Sequence, residues 1–363
     1  MAAIPTQQKA LIVTAPDAPP VIQTIPVRSP GPNEVLVRVE AASLSPGDEK
    51  CKILGPPYVE YPAMVGFDAA GVVVRLGEHV TNVAVGDRVI FQAFVESPFT
   101  SRHGGLQQYA ISPANIVVKI PDSLGCDEAS TILANLGTAF VGFFSGDAPN
   151  VFHGRGGAEL PPFWREEGKD KLKNQPLLIL SGASSVGQYA IQVARLAGFS
   201  PIITTASLHH TDLLKSLGAT HVIDRTLPHS QLISQIRSIV PEGFKVVFDT
   251  FAIPETQKQG YELLVQGGTL VLVLPFLLDQ EKAKAENKKV VFTYFWFHLP
   301  PFDKLGMEIL QVHLPEWLKT GAIKPNQAEY LPGGLHGVPV GWERLRNNQV
   351  SGKKLVVHPQ ETV

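Results

Sequence analysis

Residues 177–198, Leu-Leu-Ile-Leu-Ser-Gly-Ala-Ser-Ser-Val-Gly-Gln-Tyr-Ala-Ile-Gln-Val-Ala-Arg-Leu-Ala-Gly, constrain the fold more than any other stretch. Leu177–Leu180 is an unbroken apolar run, the pattern of a strand buried on both faces of a parallel sheet. Gly182, Ala183, Ser184, Ser185 and Gly187 make a small-residue turn around Val186. Val186, Ala190, Val193, Ala194 and Ala197 then recur at helical spacing, and Gly198 is placed to end the helix. A strand, a glycine turn and a helix N-terminus together make an anion site, because free backbone N–H groups and the positive end of the helix dipole point into it. Gly182–Gly187 therefore reads as the diphosphate site of a dinucleotide, with the hydroxyls of Ser184 and Ser185 as added donors. The pattern is not a full G-x-G-x-x-G, and an ordinary tight strand–helix turn uses the same residue types, so the surrounding chain has to decide.

It does so by rhythm. Strands are expected at 201–206, 221–223, 246–250 and 269–274, with helices at 212–217, 231–240 and 255–265 between them and Gly218 ending the first helix. That alternation predicts a doubly wound parallel sheet, with ligands at the carboxyl ends of its strands, where Leu274 falls. Residues 279–289 carry seven charges in eleven positions and read as a solvated loop. Residues 290–297 read as an edge strand, open to pairing with a second copy, so monomer and homodimer both stay open.

The N-terminal third has a different grain. Strands are expected at 9–13, 33–42, within 64–74, at 88–91 and at 109–111, separated by glycine turns. In 33–42, Val35, Val37, Val39 and Ala41 alternate with Leu36, Arg38, Glu40 and Ala42, which predicts one buried face. This is a small barrel or sandwich ending near residue 120, and 352–357 resembles a closing strand returning to it. Residues 127–144 are helical in pattern, with a break expected at Gly137-Thr138, and 145–176 form a long polar connection read as a surface excursion. At 363 residues the chain has room for two cores. A net charge of −2 gives no reason to expect nucleic acid or an anionic membrane as partner. No apolar run reaches a membrane span, the start lacks a signal-peptide pattern, and Cys51 and Cys126 do not suggest a disulfide framework, so a cytoplasmic location is expected.

An NAD site places an acid at the end of the second strand to hold the ribose hydroxyls. Here that strand ends Thr204-Thr205-Ala206-Ser207, followed by His209 and His210, with Lys215 and Arg225 nearby. Hydroxyls and cations suit a 2′-phosphate, which an aspartate would repel, so NADPH is expected rather than NADH.

Six stretches then carry a resemblance: Ala42-Ser43-Leu44-Ser45-Pro46-Gly47-Asp48-Glu49-Lys50, Pro62 through Val72, Val85-Gly86-Asp87-Arg88-Val89, Gly105-Leu106-Gln107-Gln108-Tyr109, Ser184-Ser185-Val186-Gly187 and Ser351-Gly352-Lys353. In this order the chain resembles a medium-chain dehydrogenase/reductase. The resemblance implies a GroES-like β-barrel catalytic domain over 1–130 with 311–363, a Rossmann NADP-binding domain over 131–310, and an active site in the cleft between them. Zinc-dependent members carry Cys where this chain has Ser45 and His-Glu where it has Phe67-Asp68, and neither Ser nor Phe is a useful zinc ligand. The four-cysteine zinc lobe is also missing, since the chain has two cysteines. The likeness is therefore to the zinc-free quinone and enoyl reductases, and most of all to fungal trans-acting enoyl reductases, through Leu136-Gly137-Thr138-Ala139, Ser207-Leu208-His209, the stretch from Asp212 to Ala219, and Leu355-Val356-Val357. Arg225 stands where the family often has a Tyr at the 2′-phosphate, and Ser45 stands where many zinc-free reductases have Asn.

Without a metal Lewis acid, reducing a C=C bond conjugated to a carbonyl is easier to organise than reducing the carbonyl. The enolate oxygen then needs a donor and the α-carbon needs a proton. The resemblance implies Lys50 as the donor, Ser45 on the carbonyl side, Thr138 beside the nicotinamide carboxamide, and Lys353 with the cofactor. Lys50 has a plainer alternative as a surface partner of Asp48 or Glu49, and Thr138 as a helix-interior hydroxyl bonded to its own backbone. Tyr58 and Tyr61 are further proton donors to weigh. The expected substrate is a small enoyl or enone compound, in the trans-acting case tethered to a carrier protein of a polyketide synthase. A quinone reductase and a non-catalytic NADPH-binding partner protein share every motif above.

Overall fold

The computed structural model describes residues 3–54, 60–92, 94–96, 100–146, 156–277, 279–293 and 302–363. The chain divides into two compact units, one of Met1–Ala134, Gly306–Gly321 and Pro325–Val363, the other of Asn135–Leu305 and Ala322–Lys324.

The first unit opens with β1 (Gln7–Val13) and β2 (Val21–Pro26), an antiparallel pair whose second strand the sequence reading did not anticipate. Then come β3 (Glu34–Ser43), helix α1 (Pro46–Leu54), β4 (Ala63–Met64), β5 (Asp68–Leu76), β6 (Arg88–Gln92), β7 (Phe94–Glu96), β8 (Thr100–His103), β9 (Tyr109–Pro113), β10 (Val118–Lys119) and the one-turn α2 (Cys126–Ala129). β3 pairs antiparallel with both β5 and β9, through Ala41↔Ala70 and Val37↔Ala110. The expectation of one wet face on this strand holds at Arg38 and Glu40, which are half-buried, and is corrected toward the two ends, where Leu36 is 1% exposed and Ala42 fully buried. The strand's apolar residues join Phe91, Leu106 and Val117 in a single core.

The second unit begins within α3 (Leu133–Phe144). The helical break lies at 130–132, not at Gly137-Thr138, which sit inside α3. The Ser130 hydroxyl donates to the Asp127 carbonyl and the Thr131 hydroxyl to that of Glu128, so side chains take the carbonyls that would carry α2 onward. The described part of the 145–176 connection is not a free excursion. Ala158 N donates to Gly142 O and Leu160 N to Phe143 O, and the Trp164 ring meets Phe144 edge-on at 4.9 Å. Residues 147–155 lie outside the described residues.

There follow β11 (Leu177–Leu180), α4 (Ser185–Leu196), β12 (Ile202–Ala206), α5 (Thr211–Leu217), β13 (His221–Asp224), α6 (His229–Ile239), β14 (Phe244–Asp249), α7 (Pro254–Leu263), β15 (Leu264–Leu272), α8 (Gln280–Ala285) and β16 (Lys289–Phe292). The six strands lie in the order β13-β12-β11-β14-β15-β16, every neighbouring pair parallel. This is the doubly wound sheet expected, with the order reversing between β11 and β14. Gly198 and Gly218 follow α4 and α5 at φ of 85° and 126°. α8 corrects the solvated loop expected at 279–289: Asp279 caps it, accepting from Glu281 N and Lys282 N, and Lys284 pairs with Glu281 one turn back. β16 is the sheet edge anticipated, as far as Phe292; residues 294–297 lie outside the described residues.

The chain then returns to the first unit through α9 (Asp303–Glu308), α10 (Leu314–Thr320), β17 (Gln327–Leu331), α11 (Val338–Arg346) and β18 (Lys353–Val357). β18 closes onto β3 through Val356↔Ser43, as expected, and runs parallel to β17. No described helix is long and apolar enough to cross a membrane.

Candidate active site

The dinucleotide turn joins β11 to α4 at the carboxyl end of the sheet. Ser184 is the N-cap of α4, at φ −64° and ψ 159°. That is ordinary extended backbone, which explains why a serine is tolerated where the nucleotide fingerprint has its middle glycine. Its oxygen accepts from Gly187 N at 2.9 Å. Thr250 Oγ1 lies within hydrogen-bond distance of the carbonyls of Leu180 and Ser181 and 2.8 Å from Ser184 Oγ, a contact in which either hydroxyl can donate. The Ser184 oxygen thus helps to hold the turn. Ser185 and Val186 occupy the first helical positions, whose N–H groups have no carbonyl inside the helix. With half-buried Ala183 and Ser185 beside them, these are the groups that face an anion.

The turn is held tightly. Ser181 stands at φ +62°, unusual for a residue with a side chain, and Thr205 Oγ1 accepts its N–H at 3.0 Å. A Cβ on Gly182 would lie 2.1 Å from Thr204 Oγ1, and one on Gly187 would lie 2.6 Å from Ser181 O. The sequence reading missed Ser181, Thr205 and Thr250. Their signal was a threonine at the carboxyl end of the strand on each side of β11.

At the end of β12 the structure gathers residues that sequence placed 18 apart. Arg225 Nε donates to Ser207 Oγ at 3.0 Å. The rings of His209 and His210 lie 4.0 Å apart in the turn that leads into α5. Burial, then the nearby His209 and Arg225, lower the pKa of His210. Asp224, which adjoins Arg225 in sequence, accepts from both Thr226 N and Thr226 Oγ1 on its Oδ1. Leu274 is half-buried just beyond β15, and Thr138 is half-buried within α3.

In the first unit, Ser45 directly precedes α1, which carries Asp48 and Lys50 in its first half. Asp48 is fully buried, its Oδ2 accepting from Ser45 N at 2.6 Å and its Oδ1 from Phe67 N at 2.9 Å. Glu49 pairs with Arg346 at 2.7 Å. Both carboxylates that offered Lys50 a plain surface role are therefore engaged elsewhere. Lys50 is exposed, and desolvation by its neighbours lowers its pKa. Tyr61 is half-buried, while Tyr58 lies outside the described residues. Lys353 faces Glu329, 3.9 Å away. Its neighbour Lys354, which the sequence reading passed over, points the other way, is 3% exposed and donates to Ser45 Oγ at 2.7 Å. Alternation along a closing strand was the available sign, since one of two successive lysines must face inward.

Asp68, at the start of β5, is the second buried carboxylate here. Its oxygens accept from Ala134 N at 3.0 and 2.9 Å. Burial pushes Asp48 up to about 6 and Asp68 up to about 7, against the pull of the Lys354 charge and the backbone N–H donors. Burial also lowers Lys354. A carboxyl group whose folded pKa is raised favours the fold below its ordinary value of 3.8, and that benefit is lost as pH climbs through the folded value. Stability should therefore fall between about pH 4 and 7. Asp68→Asn should flatten this slope by up to about 4 kcal/mol across the window, read by denaturant unfolding at each pH. An unchanged slope would show that Asp68 does not titrate there. Among the described residues no group of three or more His, Cys, Asp or Glu side chains is arranged to hold a metal ion.

Residues 31–122 match the family model of the alcohol dehydrogenase GroES-like domain, and residues 185–287 match that of the zinc-binding dehydrogenase. The chain is 31% identical over 369 residues to the trans-enoyl reductase tndF of Aspergillus flavipes, covering 97% of this chain and 99% of that protein. It is 33% identical over 358 residues to the dehydrogenase azaJ of Aspergillus niger, covering 96% and 98%. The chain belongs to the medium-chain dehydrogenase/reductase family, and it is an oxidoreductase of that family, whose fold binds a nicotinamide cofactor. Among solved structures, CurK enoyl reductase superposes with a TM-score of 0.74 at 22% identity, covering 97% of this chain and 99% of that one. Mycobacterial Rv1454c, solved in complex with NADPH, gives 0.74 at 21% identity, covering 97% and 100%. At these identities the two structures speak to fold alone.

Proposed function

We propose that this protein is an NADPH-dependent reductase of C=C bonds conjugated to a carbonyl, working without a catalytic metal. The observation that carries the cofactor part is the cluster of Ser207, His209 and Arg225 at the end of β12, where the strand itself ends in Ala206, before Ser207, and carries no acid. The glycine turn fits the same cofactor, because its tight packing leaves the Ser185 and Val186 N–H groups for a diphosphate. Thr138, Leu274 and Lys353 remain assigned to the cofactor on resemblance. The relatives named trans-enoyl reductases support the reaction class.

Bound NADPH supplies the hydride. The chain's own residues then meet two demands, a donor toward the carbonyl oxygen that becomes an enolate and a proton for the α-carbon. Ser45 supplies a hydroxyl and Lys50 an ammonium whose lowered pKa eases proton release. A serine and a phenylalanine at positions 45 and 67 give a Zn2+ ion no useful ligand, which supports the metal-free reading. The substrate is a small enoyl or enone compound, free or carried on a synthase partner, and the protein works in the cytoplasm.

Mixing the protein with NADPH and a panel of enones, short 2-enoyl thioesters and ortho-quinones tests the assignment. Alkene reduction is expected, and turnover of quinones alone would replace it with a quinone reductase. Cofactor choice has its own check. Arg225→Ala should weaken NADPH binding on the order of 10-fold and leave NADH binding unchanged, measured by fluorescence titration. Equal loss for both cofactors would remove Arg225 from the 2′-phosphate site.

A further inference from the structure

The proposed reaction leaves one buried charge without a task. The Lys354 ammonium is 3% exposed, and among the described residues its one hydrogen-bond acceptor is Ser45 Oγ, at 2.7 Å. Two further buried charges bear on it through space, Asp68 and Asp48. Neither aspartate is spare: Asp48 grips Ser45 N and Phe67 N, and Asp68 grips Ala134 N. A buried ammonium is costly on its own, and the Lys354 charge is partly offset by those of Asp68 and Asp48. Its geometry suggests a further use. Ser45 Oγ accepts from a cation on one side, while its backbone N–H is fixed by Asp48 on the other. The hydroxyl rotor is thereby held, and its own proton must point away from Lys354.

We propose that Lys354 is a positioning residue that orients and polarises the Ser45 hydroxyl, so that Ser45 donates to the substrate carbonyl oxygen as negative charge builds on it. A hydroxyl that accepts from a cation is a stronger donor, because hydrogen bonds in series polarise one another. Lys354 with Ser45 thus supplies positive charge at the carbonyl-side position, one hydroxyl removed from the oxygen it serves. No bond to either residue is made or broken: the hydride adds to the β-carbon, the electron pair moves to the carbonyl oxygen, and Ser45 only donates a hydrogen bond to it. This inference rests on the reductase reading above, and it adds to that reading a residue outside every motif used to reach it.

The test is a double-mutant cycle of Ser45→Ala and Lys354→Met, with NADPH and an enone that the wild-type protein reduces. Each single variant should lose on the order of 10²-fold in kcat, with the KM for NADPH unchanged. The double variant should fall within about threefold of Ser45→Ala alone, because the lysine acts through the serine. Losses that multiply to about 10⁴-fold would overturn the relay and leave Lys354 a structural residue. Should Lys354→Met not fold, the small Ser45→Ala change still decides: an undiminished kcat leaves no hydroxyl for the lysine to act through, and the proposal fails. Turnover by the wild-type protein separates the two levels. Normal wild-type turnover with unaffected variants sinks the relay alone, whereas no alkene reduction by the wild-type protein sinks the relay and the reductase reading together.

Discussion

Lys50→Ala is expected to lower kcat for enone reduction by about 10²- to 10⁴-fold, the range for loss of a proton-transfer group. The fold should not suffer, because Lys50 is exposed and the two carboxylates that precede it in sequence are tied to other partners. Melting temperature should therefore stay within about 2 °C of the wild-type value, as for other surface substitutions. Lys50→Arg keeps the charge and gives up the ability to release a proton near neutral pH. It should bind substrate with an unaltered KM and still lose most of the rate. A full rate in Lys50→Arg would leave the lysine a purely electrostatic role, and a full rate in Lys50→Ala would remove it from the reaction.

The second large effect is expected at Gly187. A single methyl group there would lie 2.6 Å from Ser181 O and 2.7 Å from Gly182 Cα, both backbone atoms. Neither can move without reshaping the turn, since Ser181 is pinned by Thr205 and the start of α4 by Ser184. Gly187→Ala should cost about 1–3 kcal/mol of stability, as overpacking does, and move the Ser185 and Val186 N–H groups off the diphosphate. NADPH affinity should fall by about 100-fold or more, the equivalent of some 3 kcal/mol. Calorimetric titration reads it directly. Unaltered affinity would mean that the diphosphate is held elsewhere.

Much of the second unit was legible because local and global signals agree there. A strand pattern and a helix pattern follow one another four times from residue 177, and each repeat became a strand and a helix of the parallel sheet. The misreadings were places where a side chain overrode the pattern. Ser130 and Thr131 ended α2 by taking its carbonyls, while the glycine expected to break the helix stayed inside α3. Asp279 capped a helix in what looked like a charged loop. The first unit was harder, because a strand crossed by several others loses its alternation toward its ends, as Leu36 shows. In the site, residue types were readable and pairings were not. The sequence pointed to Ser207 and Arg225 separately, and the fold joins them. It could not show that Ser184 meets Thr250, nor that Lys354 reaches back 309 positions to Ser45. Contacts of that span depend on how β18 closes onto β3, which no local pattern encodes.

The central claim is hydride transfer from NADPH to the β-carbon of an activated alkene. It is tested most directly by reducing an enone with NADPH carrying deuterium at the transferable position and locating the label in the product by NMR. The account predicts one deuterium at the β-carbon, hydrogen from solvent at the α-carbon, and an intact carbonyl. Label on the carbonyl carbon, with an alcohol as product, would contradict it.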